Sequence, residues 1–581
     1  MNGTARIERR VAAAAATFSA ALNPVLRRVY AARGLRCDHD LDLSLAHLLP
    51  VGSLAGAAEA AALLAAHRTT GCVLIVGDFD ADGATSSALM VRALRALGFA
   101  QVDFLVPDRF RFGYGLTPQI VARAAQLRPS LIVTVDNGVS SIDGVAAARA
   151  LGIAVLVTDH HLPGAELPAA DAIVNPNLRS STFASPALAG VGVAFYVIAA
   201  LARSLPQTGF NPAQLLDLVA LGTVADVVPL DRNNRILVAQ GLRRIRSGRC
   251  VAGVRALLAA GSRRLEEVSA ADLGFAAAPR LNAAGRIADM RLGIECLLAD
   301  SADEAAALAA RLSALNEERR EIERRMQLEA IDIAAAMRAS PAGESALGLC
   351  LFDASWHQGV VGLVAGRIKE RLHRPVVAFA VAADGSLRGS ARSIPGVHVR
   401  DALEAISVRH PGLIDQFGGH AMAAGLTLRP DKLEAFRTAF AAEVAGRADP
   451  ATLAGVILSD GELSPAELSL ETARALAAGG PWGQGFAEPV FDGEFEICEA
   501  RVVGERHLKL KLRPAPAAAN GARRVDSHAA FDAIAFGFID GAAAAALPRA
   551  GARVAAAYQL EANEWNGRAR LQLNCRHLRV I

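Results

Sequence analysis

The sequence predicts an α/β protein of two lobes joined by a long helix, with a small β-barrel following them. Three observations carry this. Between about residues 45 and 235, short β-branched apolar runs alternate with alanine-rich stretches of helical length, the pattern of right-handed βαβ units around a parallel sheet. A charged amphipathic stretch then runs without interruption from Ser301 to Ser340-Pro341-Ala342-Gly343. From about residue 452 onward the pattern changes to short strands separated by turn residues.

The first strand, Cys72-Val73-Leu74-Ile75-Val76, leads into Asp78-Phe79-Asp80-Ala81-Asp82-Gly83. Leu131-Ile132-Val133-Thr134-Val135 leads into Asp136-Asn137-Gly138, and Ile153-Ala154-Val155-Leu156-Val157-Thr158 into Asp159-His160-His161. In an open parallel sheet the ligand crevice lies at the carboxyl ends of the strands, which places all three clusters at one edge. Seven acidic or imidazole side chains crowded there would repel one another or pay for desolvation unless cations sat among them. Aspartate and histidine are ligand types for divalent ions such as Mn²⁺, and carboxylates can bridge two of them. Asp-x-Asp-x-Asp-Gly also opens a calcium-binding EF-hand loop, but that loop needs a glutamate at its twelfth position. Leu89 stands there. No Gly-x-Gly-x-x-Gly follows the first strand either, which argues against dinucleotide binding.

Further along, Ser301-Ala302-Asp303-Glu304 has the form of a capping box, and Leu308, Leu312, Leu315, Ile322, Met326, Ile333 and Met337 recur at helical spacing. The other face is charged, with Glu321 and Arg325 spaced to pair. Proline and glycine end this connector at 340–343, and Leu347 to Phe352 reads as the first strand of a second α/β lobe. In that lobe three segments set glycines beside hydrogen-bond donors: Ser355-Trp356-His357-Gln358-Gly359, Leu387-Arg388-Gly389-Ser390-Ala391-Arg392 and Gln416-Phe417-Gly418-Gly419-His420. Glycine lets backbone N–H groups approach an anion closely, and helix starts favour negative charge. Strands are expected at Phe491 to Ile497, Val502 to Leu512, Ile534 to Phe538, Val554 to Leu560 and Leu571 to Leu573, with Asn566-Gly567 a tight hairpin turn and Pro514 to Asn520 a loop. Five short strands fit an OB-type barrel, a fold that often binds single strands. Trp565, Tyr558 and a few phenylalanines are its candidate stacking platforms. The expected domains are therefore an N-terminal segment 1–44, a catalytic domain 45–235, a helical region with the connector 236–344, a substrate-binding lobe 345–447 and the barrel 452–581.

With 581 residues and 52% hydrophobic content, the chain can bury several cores and is not disordered. A formal charge of +3, from 61 basic and 58 acidic side chains, means that any basic track for a polyanion must be local. Arg109, Arg111, Arg280, Arg286, Arg388 and Arg392 are candidates. Seven cysteines show no Cys-x-x-Cys pair and no zinc spacing, and their odd number suits a reducing compartment. The cytoplasm is the expected location. No apolar run reaches the roughly 20 residues needed to span a bilayer, and the alanine-rich stretch after Arg6, Arg9 and Arg10 lacks the leucine-rich centre of an export signal.

The triplet Asp159-His160-His161 resembles the signature of the DHH phosphoesterases. The likeness extends from Asn23-Pro24-Val25-Leu26 through Val106-Pro107-Asp108-Arg109-Phe110-Arg111-Phe112-Gly113-Tyr114-Gly115-Leu116 and Leu221-Gly222-Thr223-Val224-Ala225-Asp226-Val227-Val228-Pro229-Leu230 to Gly418-Gly419-His420. It is strongest to the single-strand-specific exonucleases of that family. The resemblance implies a parallel-sheet DHH domain, a smaller DHHA1-type domain and an OB-type barrel, and an enzyme that degrades single-stranded DNA from its 5′ end to 5′-mononucleotides in recombination and repair. It implies two divalent cations, Mn²⁺ or Mg²⁺, one held by Asp78, Asp80 and Asp136 and the other by Asp82, Asp136, His160 and Asp226. Asp136 would bridge them, Asp159 would orient a histidine, and His161 would face the phosphate. Many relatives carry a histidine near the place of Asp78. A terminal 5′ phosphate would be gripped by Arg109, Arg280, Ser390 and Arg392, with Gly419 and His420 nearby and Tyr114 stacking on a base. Single-strand-binding protein and a RecQ-type helicase are the implied partners. Two alternatives remain at this stage: a phosphodiesterase for short oligonucleotides or cyclic dinucleotides, and a non-catalytic DNA-binding scaffold.

Overall fold

The computed structural model describes residues 5–12, 16–108, 112–339, 347–449, 452–504, 506–515, 529–539, 548–565 and 567–581. The chain divides into two compact units. One comprises Cys37–Glu318 with Gly479–Glu488, the other Met1–Arg36, Arg319–Ala478 and Pro489–Ile581. Among the described residues no single helix is long and apolar enough to cross a membrane.

After a first short strand, β1 (Arg6–Arg9), the chain enters the unit built on residues 37–318. Its sheet contains β2 (Cys72–Gly77), β3 (Gln101–Leu105), β4 (Leu131–Val135), β5 (Ala154–Thr158) and β6 (Ala172–Val174), all parallel, in the order β3-β2-β4-β5-β6. Strands β2, β4 and β5 are almost wholly buried. That is why they read as continuous apolar runs: helices cover both faces of such a sheet. The edge strand β3 carries exposed Gln101 and Asp103. Because the chain moves from β2 to β3 on one side and then to β4 on the other, the strand order reverses between β2 and β4, and a crevice opens at their carboxyl ends. Helix Ala81–Ala96 is almost entirely buried and starts beneath this crevice, and helices Gly190–Ser204 and Leu216–Ala225 pack against it.

In the other unit, β7 (Leu349–Phe352), β8 (Val376–Val381), β9 (Leu387–Arg392), β10 (Gln416–Gly419) and β11 (Ala423–Leu428) form a mixed sheet in the order β10-β11-β9-β8-β7, with only β7 and β8 parallel. Its core centres on Phe379, Phe436 and Phe440. The short strand β12 (Val456–Ser459) takes up β1 in parallel, so the N-terminal segment is tied to a strand about 450 residues away. The buried ion pair Arg33–Asp460, at 2.7 Å, fastens it further. Strands β13 (Phe491–Val503), β14 (His507–Pro514), β15 (Phe531–Ala535), β16 (Arg553–Trp565) and β17 (Arg568–Val580) close into a barrel in the order β13-β14-β15-β17-β16.

Several expectations need correction. Strands β13, β16 and β17 are longer than the apolar alternation implied, β15 begins at Phe531 and ends at Ala535, ahead of the expected Ile534 to Phe538, and β14 is shorter than expected because Val502 and Val503 end β13 rather than begin it. Past Ile497 a register shift turns β13 outward, so its exposed residues pair without an apolar face to mark them. Tyr558 is no stacking platform: it is buried in the barrel core against Phe495, ring centroids 5.5 Å apart. The side chain of Trp565, Asn566 of the turn and residues 516–520 of the loop lie outside the described residues. The connector is one helix, Ala302–Ala339, as its periodicity predicts, and residues 340–346 of the break also lie outside the described residues. Its buried stripe runs through Ala305, Ala309, Leu312, Asn316, Glu323, Met326, Ala330 and Ala334, while Leu308, Leu315, Ile322, Ile333 and Met337 are only half-buried. Small residues let this helix approach its neighbours closely, a signal that side-chain hydrophobicity does not register. Glu321 pairs with Arg324 rather than Arg325, at 2.7 Å. The boundary between units falls inside the helix because its C-terminal half is bonded to the second lobe: Glu323 to Arg367 at 3.1 Å and Glu329 to the Trp356 Nε1–H at 2.8 Å.

Candidate metal centre

Gly77 lies opposite Val135, and Val135 opposite Thr158. The residue that follows each of these strands therefore emerges at one level of one edge, and these residues are Asp78, Asp136 and Asp159. Register alone gathers them. The remaining acids come from helix ends. Asp80 caps helix Ala81–Ala96 by accepting from Gly83 N–H at 2.9 Å. Asp82, in the first turn and fully buried, accepts from the Gly190 and Val191 N–H groups at 2.6 and 3.0 Å, the start of the next helix. Asp226 closes helix Leu216–Ala225 as its C-cap.

The atoms converge. Asp78, Asp80 and Asp136 each present an oxygen within 4.8 Å of the others; carboxylate oxygens and ring nitrogens of Asp82, His160 and Asp226 lie equally close, and so do those of Asp136, His160 and His161. Asp136 Oδ1 lies 3.1 Å from His160 Nε2, and Asp226 Oδ2 lies 3.5 Å from the same nitrogen. Asp136 Oδ1 and His160 Nε2 are buried without a hydrogen-bond partner. A native protein rarely leaves such groups unsatisfied, and two orphaned lone pairs aimed at one point fit a cation.

The electrostatics agree. Burial, with the charge of Asp80 added, pushes Asp82 up to about 7. Burial and the neighbouring carboxylates Asp82 and Asp80 push Asp136 and Asp226 well above the carboxylate range. Burial, with the charge of His161 added, lowers His160 to about 4, which leaves its imidazole neutral and able to ligate. Such a set costs stability when empty and is relieved by divalent cations.

Asp159 belongs to none of these three groups. It is bonded to Val139 N–H at 2.9 Å, His160 N–H at 2.7 Å, His161 N–H at 3.1 Å and His161 Nδ1 at 2.8 Å. Burial disfavours its carboxylate, but these bonds outweigh burial and lower its pKa. Burial likewise opposes the charged form of His161, yet the bond to Asp159 wins and raises that imidazole to about 9. Two adjacent histidines thus differ in charge at neutral pH because one faces Asp159 and the other does not. Tyr114 is half exposed, while its hydroxyl reaches inward to within 3.3 Å of both the Asp136 carbonyl and His161 Nδ1.

Sequence reading missed the residues that hold this loop. Asn177 Nδ2 donates to the His160 carbonyl at 2.5 Å, and Asn175 Nδ2 to that of His161 at 2.9 Å. Asn137 Nδ2 bridges the Val76 and Val135 carbonyls at 3.1 and 2.9 Å, tying β2 to β4 at the crevice. Asn282 Oδ1 accepts from Ala81 N–H at 2.8 Å. An asparagine on either side of Pro176 was the one visible signal.

The second lobe holds Ser390, Arg392, Gly419 and His420. Gly425 pairs with Ser390, Ala423 with Arg392 and Gly419 with Ala424, which brings these four residues to one corner of the sheet. Arg392 Nη1 donates to Ser390 Oγ at 2.9 Å. Helix Val361–Leu372 begins alongside, and a Cβ on Gly362 would lie 2.9 Å from both Arg392 Nη2 and Ser390 Oγ. Arg280, in the first unit, is bonded to Ser313 Oγ at 2.8 Å and to the carbonyls of Ala276 and Ala260 at 2.5 and 2.8 Å. Arg109 lies outside the described residues. On the barrel, Arg501, Lys509, Arg568 and Arg570 line a groove of about 720 Å³ together with Asp532.

Three family models match the chain: "DHH family, N-terminal domain" over residues 72–223, "DHHA1 domain" over 343–446 and "RecJ OB domain" over 459–577. The "Single-stranded-DNA-specific exonuclease RecJ" of Escherichia coli strain K12 is 50% identical over 98% of each chain. The crystal structure of RecJ from Thermus thermophilus in complex with Mn²⁺ superposes with a TM-score of 0.78 at 32% identity, over 96% of this chain and 76% of that one. The Mg²⁺ complex from the same organism gives 0.72 at 31% identity, over 96% and 75%.

Proposed function

The chain belongs to the RecJ family of single-stranded-DNA-specific exonucleases, and on that premise we propose that it removes 5′-mononucleotides from the 5′ end of single-stranded DNA by metal-dependent phosphodiester hydrolysis. The observation that carries this reading is the pair Asp136 Oδ1 and His160 Nε2, buried, 3.1 Å apart and without hydrogen-bond partners, amid five further carboxylates and a charged histidine. Asp78, Asp80 and Asp136 would hold one divalent ion, Mn²⁺ or Mg²⁺, and Asp82, Asp136, His160 and Asp226 the other. Bound ions of this kind supply an activated water and neutralise charge on the scissile phosphate and the leaving oxygen.

The protein's own groups do the rest. Asp159 fixes the ring of His161 through Nδ1, leaving Nε2–H to present positive charge to a phosphate and a proton to the departing oxygen. Tyr114 keeps an exposed face where a terminal base can stack. Arg392 and Ser390, beside the start of helix Val361–Leu372, support the grip on a 5′ phosphate, because a planar guanidinium and helix N–H groups both suit that anion. The basic groove on the barrel favours a polymer over a dinucleotide. The same family membership supports a cytoplasmic role in recombination and repair, with single-strand-binding protein and a RecQ-type helicase as partners to be sought by affinity capture with purified proteins.

The test uses purified protein with end-labelled DNA. A 5′ label on single-stranded DNA should be released at once as mononucleotide, whereas a 3′ label should persist on shortening strands. Duplex should survive, and EDTA should stop the reaction. Early release of the 3′ label would refute the polarity, and turnover in EDTA the metal dependence.

A further inference from the structure

Directly after the candidate ligand Asp226, Val227 has φ +61. A β-branched residue rarely adopts the left-handed region, and such strain persists only where surrounding structure holds it. Val227 is 62% exposed, so burial of its own side chain does not hold it. The loop it begins is gripped from two directions. On one side Asn234 Nδ2 donates to the Pro229 and Ala187 carbonyls at 2.9 and 2.7 Å. On the other stands a segment about 250 residues later in the chain, Pro481-Trp482-Gly483-Gln484-Gly485-Phe486, which belongs to the same compact unit as the metal centre although its chain neighbours on either side do not.

This segment is built to lie against the loop. The Leu230 N–H donates to the Gln484 carbonyl at 2.7 Å. A Cβ on Gly483 would lie 2.7 Å from Leu230 Cδ1, and one on Gly485 3.3 Å from Pro229 Cβ, so glycine at both places permits the close approach. Gly485 also has φ +71. Gly483 and Phe486 exchange both backbone hydrogen bonds, at 3.0 and 3.1 Å, which closes the segment into a rigid turn. Phe486 stacks on Trp482 with centroids 5.1 Å apart, and the buried Arg235 guanidinium sits 4.3 Å from its ring centre.

We propose that the turn Pro481–Phe486 is a positioning latch for Asp226. By fixing the 227–230 loop it keeps Val227 left-handed and holds the Asp226 carboxylate 3.5 Å from His160 Nε2, completing the set with Asp82 that would receive the second cation. The latch acts on that set and not on Asp78 and Asp80, whose carboxylates accept from the Phe79 and Gly83 N–H groups of their own strand-to-helix turn. The inference rests on the two-ion reading given above.

Titration of the full-length protein with Mn²⁺ by isothermal calorimetry tests it. The wild type should bind two ions. Phe486→Ala should keep one site at wild-type affinity and weaken the other at least tenfold, with exonuclease activity recovering as Mn²⁺ is raised. Phe486→Tyr, which retains the ring, should restore both sites. If Phe486→Ala does not fold, Gly485→Ala, strained by its positive φ and pressed on Pro229, should show the same loss at one site. Adding Val227→Gly should soften the loss, because glycine holds that φ without strain. A variant isotherm identical to wild type, or equal weakening of both sites, would overturn the latch. A wild type that binds a single ion would instead overturn the two-ion reading and the latch with it.

Discussion

Asp136 is where the demands of the site meet on one residue. It follows β4 at φ +62, a left-handed conformation that aspartate tolerates better than most side chains. Its carboxylate belongs to two of the three convergent groups and keeps Oδ1 without a hydrogen-bond partner. Asp136→Asn preserves the volume and the backbone preference while removing the charge. Exonuclease activity should fall by about two to three orders of magnitude, the scale seen when a charge-stabilising group is lost from a preorganised site. In EDTA the same variant should melt about 1–2 °C above the wild type, the shift that roughly 1 kcal/mol produces in a unit of about 290 residues, because one of several crowded carboxylates is gone. A variant less stable than the wild type without metal would contradict that account of the crowding. The residue's type and place after a strand were legible in the sequence. Its positive φ, and the different charge states of His160 and His161, depend on partners the sequence does not align.

At the scale of elements, the metal centre is an arrangement of three strand ends and three helix ends. Two of those helix starts meet, since Asp82 in the first turn of one accepts the first amides of the other, an arrangement that favours its negative charge. Gly190 makes the approach possible: a Cβ there would sit 2.6 Å from Asp136 Oδ1 and 2.7 Å from Asp136 Cβ. Gly190→Ala should therefore displace Asp136 while leaving the helix intact. Activity should drop by about a hundredfold, the cost of misplacing a reacting group by about 1 Å, with far-ultraviolet circular dichroism unchanged. Normal turnover in this variant would show that the crevice tolerates more space than its packing indicates. Strands β2, β4 and β5 and the connector helix could be read from periodicity, and the acidic clusters from residue type. Gly190, Asn137, Asn175 and Asn177 could not, because nothing local distinguishes a glycine or asparagine in a loop from one that touches a strand end far off in the chain.

For the whole molecule, a net charge of +3 leaves a polyanion to be held by local clusters of basic residues. The barrel gathers Arg501, Lys509, Arg568 and Arg570 around one groove from three strands. Each basic residue that neutralises a phosphate on a single strand contributes about 0.7 to the slope of log K against log salt. Replacing Arg501 and Arg570 together by alanine should weaken binding of an oligothymidylate, followed by fluorescence anisotropy, and reduce that slope by about 1.4. An unchanged slope would assign the strand to another face of the barrel.

The amino-acid sequence by itself determined the class of fold, the succession of lobes, connector and barrel, and which acids and histidines stand at strand ends, since each of these follows from periodicity or residue type within a short window. The tertiary structure alone decided that Asp78, Asp136 and Asp159 share one level through sheet register, that Asp82 and Asp226 join them from helix ends, and that a turn near residue 484 closes on the loop after Asp226. These are relations between distant parts of the chain. They are set by packing and hydrogen bonding in three dimensions, which no local pattern of residues encodes.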